Sequence, residues 1–249
     1  MTPNRLKQQL AAGKTATVVS GLLTPDIIDY LGNVGFDAAW LDMEHGPTSW
    51  GDLGDLSRAC EVNGISSIVR VSDHDPATIM RTLDRGAEGI IVPHVNTRAE
   101  AEAIVDAAKY HPIGHRGVGG GRQGRGGPAY WSTANDHTLV AVMIEDILAV
   151  ENLAQILAVP HIDVFFVAKQ DLAQSMGHLG QPQHPEVQAV YQRAIRAIVA
   201  AGRVAGTGVA EKDIPAAAAL GIRFFMAAYP PWLTAASLRY LEQVRAATS

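Results

Sequence analysis

The chain has 249 residues, 47% of them hydrophobic and 18% charged, with a formal net charge of −5. That length suits one β/α barrel, and that apolar content builds a sizeable core, which excludes global disorder. The negative balance argues against a nucleic-acid or anionic-membrane partner. The one cysteine, Cys60, excludes an internal disulfide and fits a reducing compartment. No stretch approaches the ~18 apolar residues of a membrane span. Met1 to Leu10 lacks the apolar core of a signal peptide, so a cytoplasmic protein is expected.

Apolar runs of strand type alternate with helix-type segments almost from end to end. Strands are expected near 15–22, 36–43, 66–71, 89–95, 139–144, 162–168, 204–209 and 223–228. They are continuous apolar runs, as strands covered on both faces should be. Helices are expected near 24–34, 49–62, 76–86, 97–109, 147–158, 184–201, 211–220 and 231–246. Thr24-Pro25, Asp75-Pro76, Thr97 and His184-Pro185 are start signals, and Gly35, Gly64, Gly86, Gly202 and Gly221 are stop signals. Eight strands and eight helices in strict alternation favour a (β/α)8 TIM barrel over residues 1–249 as one domain. An open doubly wound sheet would want a Gly-x-Gly-x-x-Gly turn after the first strand, and Ser20-Gly-Leu-Leu-Thr-Pro25 is not one.

Several strands close on polar groups, which a parallel barrel would gather at one mouth. Glu145 and Asp171 end the fifth and sixth strands; there they could coordinate a hard divalent ion, or each could simply cap the next helix. Arg70 ends the third strand and could clamp a carboxylate and stabilise an enolate oxygen, or form an ion pair with Asp42 or Glu44. His45 is the natural acid/base, with Asp42 or Glu44 to orient its ring. The other eight histidines have no comparable setting, although His94 also ends an apolar strand; Met143, Phe165 and Phe166 read as core.

Glycine supplies eight of the fourteen residues from Gly114 to Gly127. With Arg116, Arg122 and Arg125 this loop invites a phosphate-cradle reading, but it lacks the Gly-Lys-Ser/Thr ending of a nucleotide loop. A mobile lid or substrate-facing loop is favoured.

From about Thr15 onward the chain resembles the HpcH/HpaI family of metal-dependent pyruvate aldolases, the 4-hydroxy-2-oxoheptanedioate aldolase group. The likeness rests on Gly35-Phe-Asp37, Leu41 to Gly46, Val69-Arg70, Leu83-Asp-Arg-Gly-Ala87, Val92-Pro-His-Val-Asn96, Arg116-Gly117, Met143-Ile-Glu145, Asp171-Leu172 and Met176 to Val187. The resemblance implies a barrel of the phosphoenolpyruvate/pyruvate type, with a divalent metal (Mg²⁺ or Mn²⁺, Co²⁺ also suiting two acids and water) on Glu145 and Asp171. It implies catalytic roles for His45 and Arg70, with Asp42 orienting the histidine. The expected reaction is reversible cleavage of a 4-hydroxy-2-oxo acid to pyruvate, or an analogue, and an aldehyde through an enolate. It further implies a homo-oligomer, commonly a hexamer, with the C-terminal helix from Pro231 to Ala247 exchanged between neighbours and Asp84 reaching an adjacent subunit's site.

Many members carry Gly-Pro-x-Asp or Ala-Pro-x-Asp after the sixth strand, where this chain has Ala168-Lys-Gln-Asp171, and many have glutamine where Met143 stands. Ala168, Lys169 and Gln170 are thus the expected substrate-carboxylate loop in altered form. Lys169 opens a Schiff-base alternative. A member that binds 2-oxo acids without turnover and a citrate-lyase-like activity on acyl-CoA thioesters are the other readings.

Overall fold

The computed structural model describes residues 4–119 and 121–248; Gly120, within the glycine-rich loop, and residues 1–3 and 249 lie outside the described residues. Eight parallel strands close into a barrel in chain order, β1 (Ala16–Ser20), β2 (Ala38–Asp42), β3 (Ser66–Arg70), β4 (Gly89–Val92), β5 (Leu139–Ile144), β6 (Val164–Val167), β7 (Ala205–Gly208) and β8 (Phe224–Ala228), with β8 pairing back on β1. Among the described residues the helices are α1 (Arg5–Ala11), α2 (Pro25–Val34), α3 (Trp50–Val62), α4 (Pro76–Asp84), α5 (Arg98–Ala108), α6 (Pro128–Trp131), α7 (Ala134–His137), α8 (Ile147–Glu151), α9 (Leu153–Leu157), α10 (Lys169–Ser175), α11 (Pro185–Ala200), α12 (Ile214–Ala219) and α13 (Pro230–Thr248).

Strand side chains alternate between two cores, because successive residues point to opposite faces. Val18, Ala38, Trp40, Ile68, Ile91, Ala141, Met143, Val164, Phe166 and Phe224 fill the barrel. Val19, Leu41, Val69, Ile90, Val142, Phe165 and Val167 face the helices. Trp40 and Phe166 meet across the axis with ring centroids 5.0 Å apart. The expected start signals act as such. Thr24 accepts from the Ile27 amide, Asp75 from that of Ala77, and Thr97 and Glu100 form a reciprocal capping box.

Four features depart from the sequence reading. Residues 5–11 form α1, which plugs the N-terminal end of the barrel with Leu6 and Leu10; the Asn4 side chain caps it and also donates to the Glu88 and His137 carbonyls. The expected helix 147–158 breaks at Asn152, whose side chain donates to the Asn96 carbonyl. An additional helix, α10, starts directly after β6. The glycine-rich loop does not cover the mouth. Arg116 donates to Asp84 and Gln123 to the Gly86 carbonyl, while Arg122 pairs with Glu61, so its described residues are pinned to the barrel flank over α3 and α4.

Candidate active site

The period of two that fills the barrel also decides which residues face its C-terminal mouth. Asp42 lies two residues beyond Trp40, Arg70 two beyond Ile68, Glu145 two beyond Met143, and Ala168 two beyond Phe166. The strand register then sets Asp42 directly opposite Arg70. A cavity of about 590 Å³ opens there, lined among others by Asp42, His45, Arg70, Met143, Thr207 and the run from Ala168 to Asp171.

Arg70 grips Asp42 in a two-pronged fork, Nε to Oδ1 at 2.9 Å and Nη2 to Oδ2 at 2.6 Å, and its Nη1 lies 2.8 Å from Glu44 Oε2. Burial opposes the charge on Asp42. The Arg70 guanidinium and the amides of Glu44 and His45 outweigh it and hold the carboxyl below its usual range. Those two amides donate to Asp42 Oδ1 at 3.1 and 3.3 Å, which folds the segment 42–46 back on itself. Gly46 closes the turn: a Cβ there would lie 2.5 Å from the Asp42 carbonyl oxygen. Asp42 therefore holds the backbone of His45, not its ring. The exposed ring lies nearest Glu44, with Nε2 4.0 Å from Oε2.

Glu145 is 1% exposed. Burial pushes its carboxyl up to about 7. The His94 amide and ring pull the other way, and the charges of Asp171 and Glu44 add to the rise. Its Oε1 accepts from the His94 amide at 2.7 Å. His94 adopts the left-handed backbone region at φ 51°, which costs a non-glycine residue of order 1 kcal/mol and is found where surrounding structure enforces it. That turn aims its ring into the carboxylates: Nδ1 lies 3.0 Å from Asp146 Oδ2 and 3.7 Å from Glu145 Oε1, and Nε2 lies 3.8 Å from Glu44 Oε1. Burial disfavours the imidazolium, yet these acids raise the His94 pKa above its ordinary value.

Asp171 stands in the first turn of α10 on the cavity wall, half-buried. Asp42, Glu44, Glu145, Asp146 and Asp171 thus crowd one end of the barrel. Arg70 is committed to two of them, and the half-exposed His94 ring lies among three. A buried carboxylate whose charge is opposed by its surroundings and by two neighbouring acids, with oxygen donors only, suits a hard divalent cation.

Lys169, which opens α10, is on the cavity wall, and its ammonium sits 4.9 Å from the centre of the Tyr191 ring. Asp84 is elsewhere. It ends α4 on the flank, where its Oδ1 accepts from the buried Arg116 at 2.7 Å. Sequence reading brought Asp42, His45, Arg70, Ala168, Lys169, Gln170 and Asp171 correctly to one cavity, but it treated Glu44 only as a partner for His45 or Arg70 and passed over His94. The signal for His94 was present: Val92-Pro-His94 ends the strand beside the one that carries Glu145.

The model of the family described as HpcH/HpaI aldolase/citrate lyase matches residues 18–218. A 4-hydroxy-2-oxovalerate aldolase from Novosphingobium aromaticivorans is 40% identical over 188 residues, 74% of this chain and 72% of that protein. A hydroxypyruvate/pyruvate aldolase from Pseudomonas aeruginosa is 36% identical over 217 residues, 85% and 81% of the two chains. The crystal structure of an HpcH/HpaI aldolase/citrate lyase family protein from Burkholderia cenocepacia J2315 superposes with a TM-score of 0.91 at 30% identity, covering 97% of this chain and 99% of that one. Barrel, mouth and sequence agree: the chain belongs to the HpcH/HpaI aldolase/citrate lyase family.

Proposed function

We propose that the C-terminal mouth is the active centre of a divalent-metal-dependent aldolase that reversibly cleaves a 4-hydroxy-2-oxo acid to pyruvate, or a close analogue, and an aldehyde. The chain is a carbon–carbon lyase of a family that is generally metal-dependent, and its relatives' names include pyruvate and 4-hydroxy-2-oxo acid aldolases. The observation that carries the reading is buried Glu145, with its carboxyl raised to about 7, facing the charge of Asp171 beside Arg70.

Glu145 and Asp171 would hold the ion, Mg²⁺, Mn²⁺ or Co²⁺. When bound, it would supply Lewis acidity toward the keto oxygen of the substrate. Ala168, Lys169 and Gln170 border the end of the cavity suited to the substrate carboxylate. Arg70, kept charged and oriented by Asp42 and Glu44, lies where negative charge develops on the enolate oxygen. His45, exposed at the cavity edge with Glu44 nearby, is placed to take the proton from the C4 hydroxyl as the C3–C4 bond breaks.

The whole chain, 1–249, is read as one aldolase unit. Two features support a homo-oligomer, with the hexamer as the expected form. Helix α13 buries none of its residues, leaving Leu233, Leu238, Tyr240, Leu241 and Val244 exposed, as a helix exchanged with a neighbour would. Asp84 is carried on the flank, away from its own chain's cavity, where it is available to a neighbour's. No helix among the described residues is long and apolar enough to cross a membrane; a cytoplasmic location is part of the same reading.

Deuterium exchange into the pyruvate methyl group, followed by NMR, tests it. Exchange that stops with EDTA and returns with Mn²⁺ or Mg²⁺ is the expected result. Exchange that survives EDTA and is stopped by borohydride with an adduct on Lys169 would replace it with a Schiff-base mechanism. No exchange under any condition would leave a binding protein without turnover.

A further inference from the structure

We infer that His178, His184 and Glu186 form a second metal site, for a borderline-soft transition ion such as Zn²⁺, at the rim of the barrel mouth and separate from the carboxylates inside it. Among the described residues this is the one group of three His, Cys, Asp or Glu side chains whose ligand atoms all lie within 4.8 Å of one another. The mouth carboxylates do not converge in that way.

The local sequence explains the convergence. Gly177 and Gly180 take positive φ, at 82° and 74°, and so let the chain reverse between α10 and α11. The Gln181 amide then donates to the His178 carbonyl and the His184 amide to that of Gln181, both at 2.9 Å, and the Gln188 side chain closes on the Pro182 carbonyl at 2.6 Å. These turns lay the His184 ring over the His178 ring, with centroids 3.8 Å apart and planes 18° from parallel. Glu186, in the first turn of α11, brings Oε2 to 3.2 Å from His178 Nε2. The positive end of α11 disfavours a cation, and the Glu186 carboxylate supplies the offsetting charge.

Two imidazoles and one carboxylate, with solvent on the open side, make the three-ligand set that suits tetrahedral Zn²⁺ completed by water. Mg²⁺, which demands octahedral oxygen coordination, prefers the acids of the mouth. The two sites therefore sort ions by chemistry. They also touch the same cavity, because Pro182 and Gln183, between the two histidines, line it. An ion on His178 and His184 ties both ends of that wall segment and fixes its position over the mouth.

The test uses the full-length protein, stripped with EDTA and then held in excess Mg²⁺ to occupy the mouth. Titrated Co²⁺ is expected to give the intense visible absorption of a four-coordinate nitrogen/oxygen site, and Zn²⁺ to abolish it by displacement. His178→Ala, which leaves the α11 cap intact, and His184→Asn, which keeps a capping side chain without an imidazole, should each weaken Co²⁺ binding on the order of 100-fold. In the native protein Zn²⁺, but not Mg²⁺, should slow amide exchange across 177–184. A Co²⁺ spectrum unchanged in both variants, or Zn²⁺ that leaves amide exchange in that segment unaltered, would overturn the inference. Neither readout depends on aldolase activity.

Discussion

The two ends of the barrel bury ionisable groups in opposite ways. At the N-terminal end each polar group lies against a partner. Lys109 Nζ donates to the Asn135 and Thr138 carbonyls, Lys7 to Thr138 and Asp163, and Asn4 to Glu88 and His137, all beneath the α1 plug. At the C-terminal end five carboxylates face one arginine and one half-exposed histidine. Both ends are built on the same strands, so the contrast comes from the residues two positions past the last core layer. A closed network of partners holds a fold together. An unbalanced one costs stability and is kept where an ion or substrate completes it.

That contrast can be broken at either end. The largest effect is expected at the mouth: Glu145→Gln should lower metal-dependent pyruvate exchange by about 10³-fold or more while leaving the protein folded. The converse holds for the plug. Leu6→Ala, at a side chain 1% exposed, should cost about 2–5 kcal/mol in denaturant unfolding and leave the rate per folded molecule unchanged.

The pH dependence of stability should separate the ends by sign. Glu145, buried and raised from 4.5 to about 7, stabilises the metal-free fold below pH 4.5, and that contribution is lost as pH rises through 7. His137 is depressed from 6.5 to about 4 by burial and by the charges of Lys7 and Lys109. Its contribution is present above pH 6.5 and lost as pH falls through 4. Each arm is of order 3 kcal/mol. Glu145→Gln should flatten the first alone, and saturating Mn²⁺ should remove it in the native protein; His137→Gln should flatten the second alone. The smallest effect is expected of Lys169→Ala, which loses only a cation–π contact with Tyr191. It should change the exchange rate by less than about tenfold, and borohydride should trap no adduct in either protein.

The barrel was legible in the sequence because strands covered on both faces read as unbroken apolar runs, and most of the mouth followed from where those runs ended. What escaped depended on neighbours distant in sequence. His94 gains meaning only once β4 lies beside β5 and a left-handed turn swings its ring toward Glu44, Glu145 and Asp146. The arginines of the 111–130 loop suggested a lid because their partners, Glu61 and Asp84, belong to helices far upstream. Helix α1 had readable signals, Asn4 as cap with Leu6 and Leu10 one turn apart. Seven residues give a weak apolar period, and only the open bottom of the barrel accounts for its place.

The most direct test of the carboxylate surplus at the mouth is Mn²⁺ binding followed by EPR in the native protein, Glu145→Gln and Asp171→Asn, each with Zn²⁺ present to occupy histidine sites. One Mn²⁺ per chain in the native protein, lost or weakened on the order of 100-fold in both variants, is the predicted result. Equal Mn²⁺ binding in all three proteins would contradict the account, because the surplus charge at the mouth would then not be what holds the ion.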